Sequence, residues 1–280
     1  MARRPAAGPS RPGGRQRSRR LLKFKLRKLL GGMIMAAGLA TLALAAAPAM
    51  AADDAGLRTF NATYTVTYRG VGAGELHVAL RREPGTDRYI YETRAEPSLL
   101  ARLVVSRNAV ERSIMQIDVD GVRPLEWRLD DGRSGREDDG ELRFDWENGR
   151  VEGQVGGQAV SLPTEPGLQD RMSIQIAVLT ALMRGEAPGT IPLVDDEQIK
   201  RYSYQGGTNE IIKTQLGNLR TVVYESTRPG SSRVSKVWHA REHGFIPARA
   251  EQIRKGRVET VMVLKALEYT GRELERLRAP

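Results

Sequence analysis

The chain has 280 residues, with 44 Lys/Arg against 34 Asp/Glu, a formal net charge of +10 and no cysteine. Without cysteine there is neither a disulfide nor the lipid-modified residue that tethers many bacterial envelope proteins, so the fold rests on its core alone. The excess charge does not argue for nucleic acid or an anionic membrane: eleven of the basic residues fall in the first thirty positions, and the rest of the chain carries 33 basic against 34 acidic residues.

The basic start is followed from Leu29 to Ala47 by nineteen uncharged, mostly apolar residues and then by Ala49-Met50-Ala51. A basic segment, an apolar run and small residues in an A-x-A arrangement predict a signal peptide over residues 1–51, cleaved after Ala51. The mature chain, 52–280, is then a single β-rich domain in the periplasm. The apolar run is also long enough for a bilayer core of roughly 30 Å, but Pro48 and the small-residue site favour cleavage, so no membrane span is expected afterwards. Ser18-Arg19-Arg20-Leu21-Leu22-Lys23 resembles a twin-arginine signal; Arg27 and Lys28 intrude before the apolar run and favour the general secretory route.

From Phe60 the hydrophobic period is two. Phe60, Ala62, Tyr64, Val66 and Tyr68 alternate with polar residues, Gly70 to Gly74 turns the chain, and Leu76, Val78 and Leu80 resume the alternation, which predicts a hairpin. Strands follow at about Tyr89–Ala95, within Val104–Val119 and around Trp127 and Leu129. Pro97–Leu103 reads as a short helical turn and Asp130–Gly140 as a charged loop. Asn148-Gly149 after Phe144-Asp145 predicts a tight hairpin with positive φ at both central residues.

One long helix is expected from about Asp170 to Arg184. Met172, Ile176, Leu179 and Met183 form a stripe that Ile174, Val178 and Leu182 widen, with Asp170 as cap and Gly185 and Pro188 as stop. Beyond it, strands are predicted at about 199–204, 210–214, 220–227, 234–240, 245–253 and 257–267, connected by Gln205-Gly206-Gly207, Arg228-Pro229-Gly230 and Lys255-Gly256. Short connections between consecutive strands make an antiparallel meander. The expected fold is mainly β: a curved antiparallel sheet or open, incomplete β-barrel meander with one long helix packed against it.

Chemical signatures are sparse. His239-Ala240-Arg241-Glu242-His243 matches H-x-x-E-H, in which a helix places two His on one face around a zinc ion while the Glu activates water. Here the motif lies between two strand patterns, so a structural or solvent-exposed turn is the better reading. His77 is expected on the polar face of its strand, without a route to that turn. Ser173 lacks a nucleophile elbow, and the Gly70/Gly72/Gly74 cluster lacks the strand-to-helix context of a dinucleotide loop, so no cofactor, metal site or catalytic residue is assigned. Asp130/Asp131, Asp138/Asp139 and Asp195/Asp196 lack calcium-loop spacing and read as solvated loop acids. The aromatic strand residues fill the concave side of a curved sheet by default. If a cavity exists there, its lining comes from Tyr64, Tyr68, Trp127, Trp146 and Trp238 with Ile176 and Leu179 of the helix.

Several of these segments together resemble the domain of unknown function 3108 family: Tyr64-x-Val66-x-Tyr68 with the glycine turn, Phe144-Asp145 before Asn148-Gly149, Asp170-Arg171-Met172-Ser173, Thr214-x-x-Gly217-x-x-Arg220-Thr221, and Trp238 followed by Phe245-Ile246-Pro247-x-Arg249. The resemblance spans about Phe60 to Leu267 and implies an exported bacterial protein of curved, largely antiparallel β architecture with no assigned activity. The leading expectation is a non-catalytic periplasmic protein that binds an apolar ligand, such as a lipid or acyl chain, or an envelope protein partner. The alternatives are a metal-dependent hydrolase using His239, Glu242 and His243, and a structural or chaperone-like protein that docks client strands on an open sheet edge.

Overall fold

The structure is a computed structural model and describes residues 57–103, 106–133 and 138–270. The leader over 1–51, its cleavage site and the first residues of the Val104–Val119 run lie outside that range. Strands β1 (Thr59–Tyr68), β2 (Val71–Arg82), β3 (Arg88–Pro97), β4 (Val110–Asp118), β5 (Gly121–Asp130), β6 (Gly140–Asp145), β7 (Arg150–Val155) and β8 (Gln158–Pro163) precede helix α1 (Ser173–Met183). Strands β9 (Thr190–Asp195), β10 (Gln198–Thr214), β11 (Gly217–Thr227), β12 (Arg233–Ala240), β13 (Pro247–Arg254) and β14 (Arg257–Thr270) follow it.

All fourteen strands belong to one sheet, in the order β8-β7-β6-β5-β4-β3-β2-β1-β14-β13-β12-β11-β10-β9. The sheet is thus two meanders joined where the first described strand pairs with the last: Phe60 lies opposite Tyr269 and Tyr68 opposite Thr260. It is open, with β8 and β9 at its two ends. The end at β9 is covered by the segment leading into α1, since Gln169 N–H donates to Pro192 O at 2.9 Å and Val194 N–H to Gln169 O at 3.0 Å.

Period-two burial explains the strands: in β2, Leu76, Val78 and Leu80 are buried and the residues between them are not, so one face of the sheet leaves water. Helix α1 is apolar on more than one side and is correspondingly enclosed. Ile176 and Leu179 pack into a cluster with Phe60, Leu80, Met115 and Trp127, whereas Ile174, Val178 and Leu182 pack with Ile191, Leu193, Tyr202, Val222 and Tyr224. The two halves of the sheet therefore share one helix as their common filling.

Local details depart from the sequence expectations for physical reasons. The helix begins at Ser173 rather than Asp170, because Asp170 Oδ1 accepts the N–H groups of Met172 at 2.7 Å and Ser173 at 2.8 Å and holds the preceding residues in a turn. Gln205-Gly206-Gly207 is not a connection but a bulge inside the seventeen-residue β10; a side chain at Gly206 would collide with the carbonyl of Val223. At Asn148-Gly149 only Gly149 has positive φ, within a four-residue loop in which Asp145 Oδ1 accepts the Asn148 N–H at 2.9 Å. The tight two-residue turns with both central φ positive are Arg69-Gly70, Gly156-Gly157 and Lys255-Gly256. Strands β8 and β9 escaped prediction: β8 is mostly exposed, and β9 is a continuous buried run containing Pro192 with no alternation to read.

Candidate functional site

The densest group of buried polar side chains lies where α1 begins. On β4, the inward positions are Glu111, Ser113 and Met115, so a carboxylate and a hydroxyl enter the core and require partners. Asp170 and Arg171 supply them. Ser113 Oγ donates to Asp170 Oδ2 at 2.6 Å, and Ser173 Oγ accepts the Asp170 N–H at 2.9 Å. Trp127 Nε1 donates to Glu111 Oε1 at 3.0 Å, and the Arg171 Nε stands 3.4 Å from the same oxygen, with its guanidinium 5.5 Å from the Trp127 ring centre. Gln169 completes the bracket, its Nε2 donating to Val122 O at 2.7 Å.

Burial drives the Asp170 carboxyl up to about 6; its hydrogen bonds from Ser113 and from the Ser173 and Met172 amides pull the other way, and the neighbouring Glu111 adds to the rise. Asp170, Ser113 and Ser173 are wholly enclosed. A carboxyl and hydroxyls in this position brace the helix against β4 and β5, and no substrate atom reaches them without opening the core. Sequence reasoning found Asp170 but not Glu111 or Ser113. The available signal was a strand whose inward parity carries an acid and a serine beside Met115.

The residues of the expected cavity lining do not form one surface. Tyr64, Trp127, Ile176 and Leu179 belong to a single core cluster, each 3% exposed or less. Trp146 packs on its margin, stacked on Phe144 at 6.2 Å, with Nε1 donating to Pro124 O. Tyr68 is half-buried beside the Arg69 turn. Trp238 lies apart, with the cations of Lys236 and Arg249 at 4.9 and 5.5 Å from its ring centre and its Nε1 donating to Glu210 Oε2 at 2.7 Å.

The H-x-x-E-H segment is split between strand and turn. His239 is an inward residue of β12 and is buried, not solvent-exposed as a turn would have it, while Glu242 and His243 sit in the short 3-10 turn Arg241–His243. One His239 ring nitrogen, Nδ1, lies 2.9 Å from Phe245 O; the carbonyl requires Nδ1 to carry the proton, leaving Nε2 as a buried lone pair without a partner. Burial lowers this histidine to about 4, against a smaller opposing effect from the Phe245 carbonyl. Glu242 pairs with Arg220, and His243 Nδ1 lies 3.2 Å from the Tyr269 hydroxyl. Among the described residues these three do not bring ligand atoms to one point.

His77 lies on the polar face as expected, between Thr63 and Glu96. Asp130, Asp131 and Asp139 bring carboxylate oxygens within 4.8 Å of one another, where Asp130 and Asp139 accept loop amides. Asp195 is not the solvated loop acid expected. It accepts hydrogen bonds from Tyr202 at 2.8 Å and Lys200 at 2.9 Å; burial pushes its carboxyl up, but Lys200, Tyr202 and Arg171 outweigh burial and hold it below the ordinary range.

A family model described as "Protein of unknown function (DUF3108)" matches residues 63–263. Among solved structures, MucB overlaps 80% of this chain and 57% of its own at 12% identity and a TM-score of 0.28, so the chain spans little more than half of that protein's length. An exported-protein structure of YmcC-like fold from Bacteroides fragilis NCTC 9343 and a candidate lipoprotein from Parabacteroides distasonis ATCC 8503 each overlap 76% of this chain and 96% of their own, at 10% identity and a TM-score of 0.34. No curated protein matches the sequence.

Proposed function

The chain belongs to the DUF3108 family of proteins of unknown function, and from that premise we propose that it is an exported, non-catalytic protein of the periplasmic envelope that engages its partner through its surface. The observation that carries this reading is the burial of Tyr64 and Trp127. Tyr64 and Trp127 share one core cluster with Ile176 and Leu179, and α1 packs against both halves of the sheet. An acyl chain held on those side chains would have to displace close-packed groups. The basic leader, the apolar run and Ala49-Met50-Ala51 support export. The strand-docking version of this reading has a specific surface in β8, whose outer edge pairs with no described strand and which accepts an added strand at little cost.

The test is native mass spectrometry of protein recovered from the periplasm without denaturant, with organic extraction and metal analysis of the same sample. The expected result is a mass beginning at Ala52 with no lipid held in the interior. A stoichiometric acyl lipid lost on Ile176→Ser would replace this reading with an internal carrier, and one zinc lost in H239Q/H243Q would replace it with the hydrolase.

A further inference from the structure

Pairing β1 with β14 sets two hairpin tips side by side, Arg69-Gly70 and Lys255-Gly256. Between them lies an open cleft of about 720 Å³ lined by Arg69, Arg254, Lys255, Arg257, Val258 and Glu259. Its charge is one-sided. Glu259 is its one acid and is already taken: Arg69 donates to Glu259 Oε1 at 2.8 Å, and the Arg69 amide to Glu259 O at 2.7 Å. Arg254, Lys255 and Arg257 have no ion pair among the described residues.

Registration sharpens the imbalance. Arg233 lies directly opposite Arg254, and Arg254 directly opposite Arg257, a row of three guanidinium side chains on adjacent strands. Like charges in direct cross-strand register repel. Arg233, half-buried, has its proton affinity lowered first by burial and then by Arg254; Arg228 adds to this, while Glu259 and Asp195 oppose it. Asp195 is itself engaged by Lys200.

Both tips also place a basic residue where the backbone least favours one. Arg69 and Lys255 have φ of 50° and 49°, at turn positions that Asn, Asp and Gly occupy without steric conflict. Repulsion among cations concentrated at one place is what a bound anion would relieve. Two apolar residues crown the same tips: Val71 is 59% and Val258 44% exposed.

We infer that this cleft binds a phosphoryl oxyanion between Arg254, Lys255 and Arg257, and that the bearer is an anionic phospholipid headgroup, with Val71 and Val258 entering the interfacial layer. Planar guanidinium forks match phosphoryl oxygens, and a flexible lysine adds a point charge. Apolar tips beside cations are the composition that seats a protein on a bilayer surface. The whole-chain charge balance hides this, because the acids that neutralise the sum lie elsewhere. The inference rests on the surface-engagement reading above and supplies its partner.

The test is sedimentation of the mature protein with vesicles of phosphatidylglycerol in phosphatidylcholine, against pure phosphatidylcholine, beside calorimetry with glycerol 3-phosphate and inorganic phosphate. R254Q/R257Q should weaken binding to the anionic vesicles by about twenty-five-fold, from a contribution of about fivefold per surface cation. R123Q/R128Q, which removes the same charge elsewhere, should leave it unchanged, and V71S/V258S should weaken vesicle binding without affecting glycerol 3-phosphate. Saturable glycerol 3-phosphate binding that R254Q/R257Q abolishes, with no vesicle binding, would keep the oxyanion site and overturn the bilayer as its bearer. No binding of either kind, or equal loss in both arginine pairs, would overturn the site. An interior lipid would survive R254Q/R257Q, so failure here is distinct from failure of the packed-core reading.

Discussion

Ser113 and Asp170 meet across the interior at 2.6 Å, hydroxyl to carboxylate, tying the fourth strand to the turn that starts the only α-helix among the described residues. Asp170→Ala removes this bond and both amide contacts at once. It should cost about 2–4 kcal/mol, the order expected for a lost cap together with an unpaired buried hydroxyl. Asp170→Asn keeps an acceptor for the amides and should cost less than half as much. Urea denaturation of both variants checks the ordering, and equal losses would contradict it.

Asp170 and His239 should give opposite pH slopes. His239 titrates at about 4 when folded against 6.5 ordinarily, so the unfolded chain gains a proton first and stability falls as pH drops from 6.5 toward 4. Asp170 titrates at about 6 against 3.8, so its contribution is complete below 3.8 and is lost as pH rises through 6. Each effect is about 3 kcal/mol over its range. Urea midpoints at pH 4.5, 5.5 and 6.5 should therefore rise with pH in D170N and fall with pH in H239Q, relative to a flatter wild type.

Glu111→Gln should be among the most damaging polar substitutions. Among the described residues Glu111 is the one carboxylate within ion-pair distance of Arg171, whose side chain is 13% exposed, and removing one partner of a buried pair costs about 3–5 kcal/mol. The double variant Glu111→Gln/Arg171→Met should recover part of that loss. Thermal unfolding of the single and double variants measures the recovery.

Gly140→Ala tests how tightly the core is filled. A methyl there would stand 2.7 Å from the Trp127 ring, which is wholly buried, so the indole must shift. Overpacking of this kind costs about 1–3 kcal/mol. The Trp emission spectrum should change in the folded state together with the loss of stability.

The alternation of β1 and β2 and the apolar breadth of α1 made the open sheet and its packed helix legible, because period and burial are local properties. Glu111 and Ser113 were not, since their meaning depends on Asp170 and Arg171 nearly sixty residues away. The tip cleft was invisible for the same reason. Arg69 and Arg257 become neighbours only when β1 finds β14, and no pattern along the chain announces that pairing. His239 lies inside the strand predicted over 234–240, yet the H-x-x-E-H match drew it into a structural or exposed turn; β12 runs two residues past Trp238, to Ala240, and carries the imidazole inward.

The placement of β1 against β14 also governs timing. A polypeptide delivered amino end first presents β1 long before β14 exists, and the two meanders wait as separate sheets, each with a bare central edge open to mispairing. Closure joins residues about two hundred positions apart, the kind of contact that makes folding slow. The last strand to arrive unites the molecule and, in the same event, completes the basic cleft, so a chain stalled before residue 257 would have neither.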